Sequence, residues 1–258
     1  MTVPSISVVV MNHNYERYVG QALASIGDQQ PGDYRLAGAV IIDDGSTDGS
    51  HEVYQRFPAF RVIHQAWAGF AATLTRAVAE ASGDWIALLD ADDAFTPDKL
   101  RVLAPHLADP DLLLIQHAEF VVDAAGQPFA EGTHPGGSTS TLVVRTDAAR
   151  DLLPVTNELF FHVLADLGYG LRLAEPLTRY RVHDQSMTNR HTPGAFPRYM
   201  AGVCTEVATR LDKLCDRPPG WASPAQLAAA ADKYRVQARR HGRDAGRYAA
   251  GGAEPDAG

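Results

Sequence analysis

Short apolar runs, separated by segments of helix length, limit most severely how this chain can fold. Ile6–Met11, Ala39–Ile42 and Trp85–Leu89 are strand-length stretches rich in Val, Ile and Leu, with Arg61–His64 a shorter one between them. A strand with one wet face alternates polar and apolar residues; these do not, so both of their faces must be covered. The intervening segments read as helices. Asn14 stands where it can cap a helix whose Val19, Ala22, Leu23 and Ile26 share one face. Gly69 opens a helical stretch through Ala81, closed by Ser82-Gly83. Thr96-Pro97-Asp98 starts another, with Thr96 as the cap and Pro97 in the first turn. Strands joined by helical crossovers predict an α/β chain with a mostly parallel sheet flanked by helices, its first half a Rossmann-like nucleotide-binding unit.

Ligands of such sheets collect beyond the carboxyl ends of the strands. Both acid clusters of the chain, Asp43/Asp44 and Asp90/Asp92/Asp93, fall at that edge. Carboxylates crowded together repel, and one must take a proton unless a cation or hydrogen-bond donors compensate. A hard divalent ion resolves the conflict, and Mg²⁺ or Mn²⁺ characteristically combines one or two carboxylates with phosphate oxygens.

The second half is less regular. Leu112–Val122 reads as one or two strands, residues 124–140 as a long loop rich in Gly, Pro and Ser, and Ser140–Arg145 as a strand. Glu158–Leu167 reads as a helix ended by Gly168, and Leu177–Val182 as a last extended segment. Beyond Pro193 the texture turns helical over Ala195–Leu214 and Pro224–Arg247, with a linker between. The expected organisation is a domain over residues 1–192, a helical extension over 193–250 and a disordered tail over 251–258. A net charge of −8 argues against a nucleic-acid partner. Cys204 and Cys215, eleven residues apart, suit reduced thiols on one side of a helix in a reducing cytosol. The N-terminus lacks a basic segment followed by a long apolar core, and no window of eighteen uninterrupted apolar residues occurs. These features predict a cytoplasmic chain.

The segments ISVVVMNHNYERYVGQALASI, VIIDDGSTDGS, GDWIALLDADDAFTPDKL and EPLTRYRVH stand in an order and at separations that resemble family 2 glycosyltransferases of the GT-A fold. The resemblance covers roughly residues 5–185. It implies a nucleotide-diphospho-sugar donor linked to UDP or dTDP, a carbohydrate, glycolipid or other hydroxyl acceptor, Mn²⁺ or Mg²⁺, and inversion at the anomeric carbon. It places the chain in polysaccharide or glycoconjugate synthesis. Asn12, His13, Asn14, Asp43 and Asp44 would hold the base and ribose, with Asp90 near the ribose. Asp92 would bind the metal, and Asp93 would orient the sugar or support the metal site.

The pattern also departs from the family. Asn157 stands where the resemblance expects the aspartate base, and asparagine cannot accept a proton at neutral pH; Glu158 beside it is the candidate base. In WAGFAATLTRAV the family's usual Arg is missing, leaving Gly69 to open the helix and Arg76 as a nearby substitute. His183 in YRVH is a candidate metal ligand, and Arg181 a candidate contact to the diphosphate. Gly137, Ser138 and Thr139 would line the acceptor pocket. The basic residues of the last helix suit a solvated helix packed on its own domain or on a second copy, and alternatively a peripheral contact at the inner membrane face. Two rival readings are a sugar nucleotidyltransferase, which should carry a glycine-rich loop where NHNYERY has no glycine, and a catalytically degenerate nucleotide-sugar-binding module.

Overall fold

A computed structural model of the chain describes residues 3–184, residue 186 and residues 195–249. It divides into two compact units, Met1–Val182 and His183–Gly258. The first opens with β1 (Ser5–Asn12), whose eight residues are all buried, as expected of a strand covered on both sides. Each Val or Ile so buried contributes about 1.5–3 kcal/mol relative to exposure. Helix α1 (Glu16–Gly27) follows and buries Val19, Ala22, Leu23 and Ile26, the face read from their spacing, together with Tyr18. Next come β2 (Arg35–Asp44), α2 (Ser50–Tyr54), β3 (Arg61–Gln65), α3 (Phe70–Glu80) and β4 (Trp85–Asp90). These four strands are parallel in the order β3-β2-β1-β4. The chain therefore reverses its direction of growth across the sheet between β1 and β4, which is a topological switch point. Register fixes what meets there: Asn12 lies beside Asp43, and Met11 beside Asp90.

The remainder of the unit is mixed. It comprises β5 (Ala94–Phe95), α4 (Lys99–Leu103), β6 (Leu114–Val122), β7 (Pro128–His134), β8 (Leu142–Arg145), α5 (Thr146–Asp151), α6 (Leu159–Asp166) and β9 (Gly170–Arg181). Among the described residues nine strands form one sheet, continuing from β4 through β8, β6, β9 and β5, with β7 hydrogen-bonded to β6. Strand β8 runs antiparallel to β4 and β6, whereas β9 runs parallel to β6.

Several expectations need correction. The loop expected over residues 124–140 contains β7, because β6 offers its free edge as a hairpin partner. Ser140 is not in a strand; it belongs to a single 3₁₀ turn, Thr139–Thr141. Thr96 caps no helix: its N–H and hydroxyl both go to the Leu177 carbonyl (3.0 and 3.3 Å), extending the β5–β9 ladder. Asn14 caps none either. It sits at φ 60°, in the left-handed region, and its Oδ1 accepts the Thr47 N–H at 2.7 Å. The first turn of α1 is closed instead by Asp48, whose Oδ2 accepts the Glu16 N–H at 2.8 Å.

The second unit contains α7 (Ala195–Asp216) and α8 (Pro224–Ala249), packed along each other. Val203, Cys204, Val207, Ala208 and Leu211 on α7, and Leu227, Ala231 and Tyr234 on α8, are buried. Both cysteines are on α7 and free. The boundary expected at residue 192 and the tail expected over 251–258 lie outside the described residues. Among the described residues, no helix is long and apolar enough to cross a membrane.

Candidate active site

The carboxyl ends of β1 and β2 carry a hydrogen-bond network in which Asn12 Oδ1 is buried without a partner among the described residues. Asn12 Nδ2 donates to Ser46 Oγ, Ser50 Oγ and Tyr54 Oη (3.1, 3.0 and 2.6 Å). Tyr54 in turn donates to Asp43 Oδ1 at 3.2 Å, and burial, then the Asp43 charge, push its phenol well above the usual range. Asp43 Oδ2 meets His64 Nδ1 at 2.9 Å. Asp44 is the keystone of the next loop. Its Oδ1 accepts from Gln65 Nε2 and the Ala68 N–H, and its Oδ2 from the Gly69 N–H, each at 2.8 Å. Burial works to raise this carboxyl, but these donors, with the Thr73 hydroxyl, outweigh it and hold Asp44 below its ordinary value. With those donors in place Asp44 holds the 65–69 loop.

Gly45, at φ 67°, makes that approach feasible, since a Cβ there would lie 2.6 Å from the Trp67 nitrogen. Gly69, at φ 84°, precedes α3 as expected. His13 donates from Nδ1 to the Asp44 carbonyl at 2.7 Å, and its ring lies 6.4 Å from that of Trp67, tilted by 50°. Trp67 is 69% exposed, so an apolar ring opens to solvent at the sheet edge. Arg76, the nearby arginine of this segment, is half exposed. It points along α3 to pair with Glu80 at 2.7 Å.

The second acid cluster sits at the end of β4. The Asp90 N–H donates to Ser140 Oγ at 2.9 Å, and the Thr139 hydroxyl reaches the Asp90 carboxyl. Burial, then the charges of Asp92, Glu158 and Glu119, push Asp90 well above the carboxylate range. Asp93 is raised in the same direction by burial and by Asp92 and Asp90. Its Oδ1 accepts the Arg181 N–H at 2.8 Å, while its Oδ2 is buried with no hydrogen-bond partner.

Arg181 has a part different from the one expected. Its guanidinium donates to the carbonyls of Asp92 (2.8 Å), Asp123 (3.3 Å) and Ala124 (3.2 Å) and to Gln21 Oε1 (2.7 Å), and it lies over the Tyr18 ring. Those bonds engage four of its five N–H groups, so it clamps the acid loop and does not reach for a diphosphate. Arg181→Lys is expected to cost roughly 2–4 kcal/mol, because a point ammonium cannot serve four acceptors in a fork. Urea denaturation measures it; a loss under about 0.5 kcal/mol would contradict the clamp.

Glu158 stands at the start of α6, where burial raises its carboxyl, and it is near enough to Asp90 for its charge to be felt there. Asn157 is buried and its Oδ1 accepts the Leu159 N–H at 2.9 Å, a helix-capping bond. The segment before it is pinned to α3: Thr75 Oγ1 donates to the Val155 carbonyl (2.9 Å) and accepts the Val155 N–H (3.1 Å). On the opposite wall Ser138 donates to Glu119 Oε2 at 2.5 Å, and Gly137 lies against the His134 ring. His183 opens the second unit; its N–H donates to Ser186 Oγ and its carbonyl accepts the Ser186 N–H, both at 3.0 Å.

Two participants escaped the sequence reading. Glu119 is buried on β6 beside the acid cluster, and Lys99 is buried beneath it. Lys99 Nζ donates to the Ser140 carbonyl (2.8 Å) and Thr178 Oγ1 (3.3 Å) and lies 3.5 Å from the centre of the Phe95 ring. Glu119 carries a legible signal, since Gln116, His117 and Glu119 interrupt an otherwise apolar strand.

The donors around this cluster are hard oxygens. The Arg181 guanidinium donates to carbonyls, and Lys99 Nζ donates to a carbonyl and a hydroxyl. The unpartnered Asp93 Oδ2 and the raised carboxyls show charge left uncompensated. Among the described residues no three His, Cys, Asp or Glu form a ready metal cage. That combination fits Mg²⁺ or Mn²⁺, which take few protein carboxylates and complete their shell with phosphate and water.

Residues 7–136 match the family model described as Glycosyl transferase family 2. An uncharacterized glycosyltransferase of Nostoc sp. is 29% identical over 175 residues, covering 66% of this chain and 52% of that protein. A Bacillus subtilis protein of glycosyltransferase type, EpsH, is 27% identical over 245 residues, covering 81% of this chain and 70% of its own length. The chain thus spans about half of the Nostoc relative. Among solved structures, S. aureus TarS in complex with UDP-GlcNAc superposes with a TM-score of 0.65 at 16% identity, covering 92% of this chain and 72% of that one. The mannosyltransferase PcManGT from Pyrobaculum calidifontis, in complex with GDP-Man and Mn²⁺, gives 0.53 at 17% identity, covering 98% and 77%.

Proposed function

The chain belongs to glycosyltransferase family 2, and on that premise we propose that it transfers a sugar, with inversion, from a UDP- or dTDP-linked donor to an acceptor hydroxyl in glycan synthesis. The first unit is then the catalytic domain and the second a helical extension. One observation carries the reading: Asp90, at the end of β4 where the topology reverses, lies close enough to Asp92 and Glu158 for both of their charges to act on it. Sugars bound by TarS and PcManGT arrive as nucleoside diphosphates, which supports that donor class.

Each residue has a part in this reading. Trp67 and His13 flank the nucleobase on a loop that Asp44 holds, while Asn12, Asn14 and Asp43 set the ribose side. Asp92 is the carboxylate for Mn²⁺ or Mg²⁺, with Asp90 toward the ribose and Asp93 supporting their loop through Arg181. The ion, when bound, neutralises the charge that grows on the departing diphosphate. Glu158 removes the proton of the acceptor hydroxyl as its oxygen bonds to the anomeric carbon and the carbon–phosphate-oxygen bond breaks. Asn157 caps the helix that aims Glu158, and Gly137, Ser138 and Thr139 shape the acceptor side.

Incubation with Mn²⁺, simple glycosides and a panel of nucleotide sugars tests the proposal through release of nucleoside diphosphate. Absence of both release and nucleotide binding across UDP-, dTDP- and GDP-sugars would defeat it; binding without release would point to the degenerate module.

The raised carboxyls also predict a pH dependence. A carboxyl whose folded value exceeds its unfolded one stabilises the fold at low pH and loses that contribution as pH rises through the folded value. Asp90, Asp93 and Glu158 all have this sign. Added Mn²⁺ is therefore expected to raise the melting temperature more at the alkaline end of the stable range than at the acid end, where protons compete with the ion for these groups. Thermal-shift titration reads it, and a gain independent of pH would contradict the assignment.

A further inference from the structure

The two units differ in charge. Residues 183–258 hold 11 of the 23 Lys and Arg but only 8 of the 31 Asp and Glu. The second unit is thus net positive within a chain of net charge −8. Six of those cations lie on α8. At 3.6 residues per turn, Lys233, Val236, Arg239, Arg240, Arg243 and Arg247 fall within about 60° of one line along the helix. Leu227, Ala231, Tyr234 and Ala245 fall on the opposite side and are buried. The cationic stripe is therefore the outward face of α8, and its residues are exposed, with Val236 at 55% in their midst.

Arg235, off the stripe, is neutralised by Asp212 and Asp232, and Arg247 lies 3.9 Å from Asp244. Arg239, Arg240 and Arg243 form no ion pair or hydrogen bond among the described residues. Like charges three and four positions apart oppose a helix, so the triplet is unfavourable unless an external anion meets it. The line from Lys233 to Arg247 is ~21 Å long and straight, a ridge with no groove. A single-stranded nucleic acid needs a groove with stacking platforms, which a ridge of arginines around a valine does not supply. Exposed aromatics complete the pattern: Phe196 and Tyr199 are 50% and 39% exposed in the first turns of α7. Arg235 meeting Asp212, and Cys204 Sγ meeting Gln237 Oε1 at 3.7 Å, show that α7 and α8 run antiparallel. The aromatics therefore belong to the same end of the hairpin as Arg239–Arg247. Cations with exposed aromatic and aliphatic residues suit the headgroup layer of a bilayer.

We propose that the outward face of α8 docks the protein on an anionic lipid membrane, its arginines taking lipid phosphates. The proposal is independent of transfer chemistry. Flotation of the full chain with vesicles of phosphatidylcholine alone, and of phosphatidylcholine mixed equally with phosphatidylglycerol, tests it. Binding is expected on the mixed vesicles only, and to weaken as added salt shortens the ~10 Å screening length. Each arginine near an anionic bilayer contributes about fivefold to partitioning, so R239Q/R240Q/R243Q should lose roughly a hundredfold. Glutamine preserves helix propensity, and R239K/R240K/R243K should retain binding. Equal binding to both vesicles, or a triple glutamine variant that floats like the parent, would overturn the proposal. So would a salt-sensitive dimer or a nucleic-acid complex, abolished by the same variant, in a chain that ignores vesicles.

Discussion

Asp92→Ala is expected to lower turnover by about a thousandfold or more and to abolish the dependence of nucleotide binding on Mn²⁺. The magnitude follows from the several kcal/mol of leaving-group stabilisation that a bound cation supplies, at 1.36 kcal/mol per decade of rate. Asp92 is only partly buried, whereas Asp93 is buried and already receives the Arg181 N–H at 2.8 Å. Removing the Asp92 side chain also takes one negative charge away from Asp90 and Asp93, so the metal-free fold should become no less stable. Titration calorimetry with UDP, dTDP and Mn²⁺, beside a melting curve, separates the two effects. If the variant holds metal and nucleotide as tightly as the parent, Asp92 does not bind the ion.

Glu158→Gln is the second large effect, an expected loss of 10²–10⁴ in kcat with the donor KM little changed. The amide matches the carboxylate in size but cannot accept a proton. Burial raises the Glu158 carboxyl above the ordinary glutamate range, since it disfavours the charged form. The base must be ionised to act, so kcat/KM in the parent should rise with pH through that elevated value and then level. The glutamine variant should lose this limb of the profile. Asn157→Asp provides the counter-test, because it places a carboxylate where the family's usual pattern has one. Rescue of E158Q by N157D, with an acid limb restored, would mark the base position as shared. If E158Q retains full release, the base lies elsewhere, and Glu119, buried beside the same cluster, becomes the candidate.

Much of the first unit was legible in its residues. The strands β1 to β4 follow from uninterrupted apolar runs, and the placement of Asp43, Asp44, Asp90 and Asp92 at one edge follows from parallel connection by helices. The buried face of α1 was written in its spacing. The irregular half was harder: β7 lies in a segment whose composition suggests only a loop, and it becomes a strand because β6 leaves an edge to pair with.

The helix caps at Asn14 and Thr96 failed for a related reason, since nearby chain offered each of them another partner.

Local patterns determined which segments are strands and helices, which faces are buried and where the acids emerge, because those properties depend on neighbours a few positions away. Only the tertiary structure decided what each polar side chain holds. Asp44 accepts from Ala68 and Gly69, and Arg181 reaches Gln21 and the Asp92 carbonyl, across separations that no periodicity encodes. Hydrogen bonds are short-ranged and directional, so a donor's role is set by whichever acceptor the fold brings within 3 Å, however distant it is along the chain.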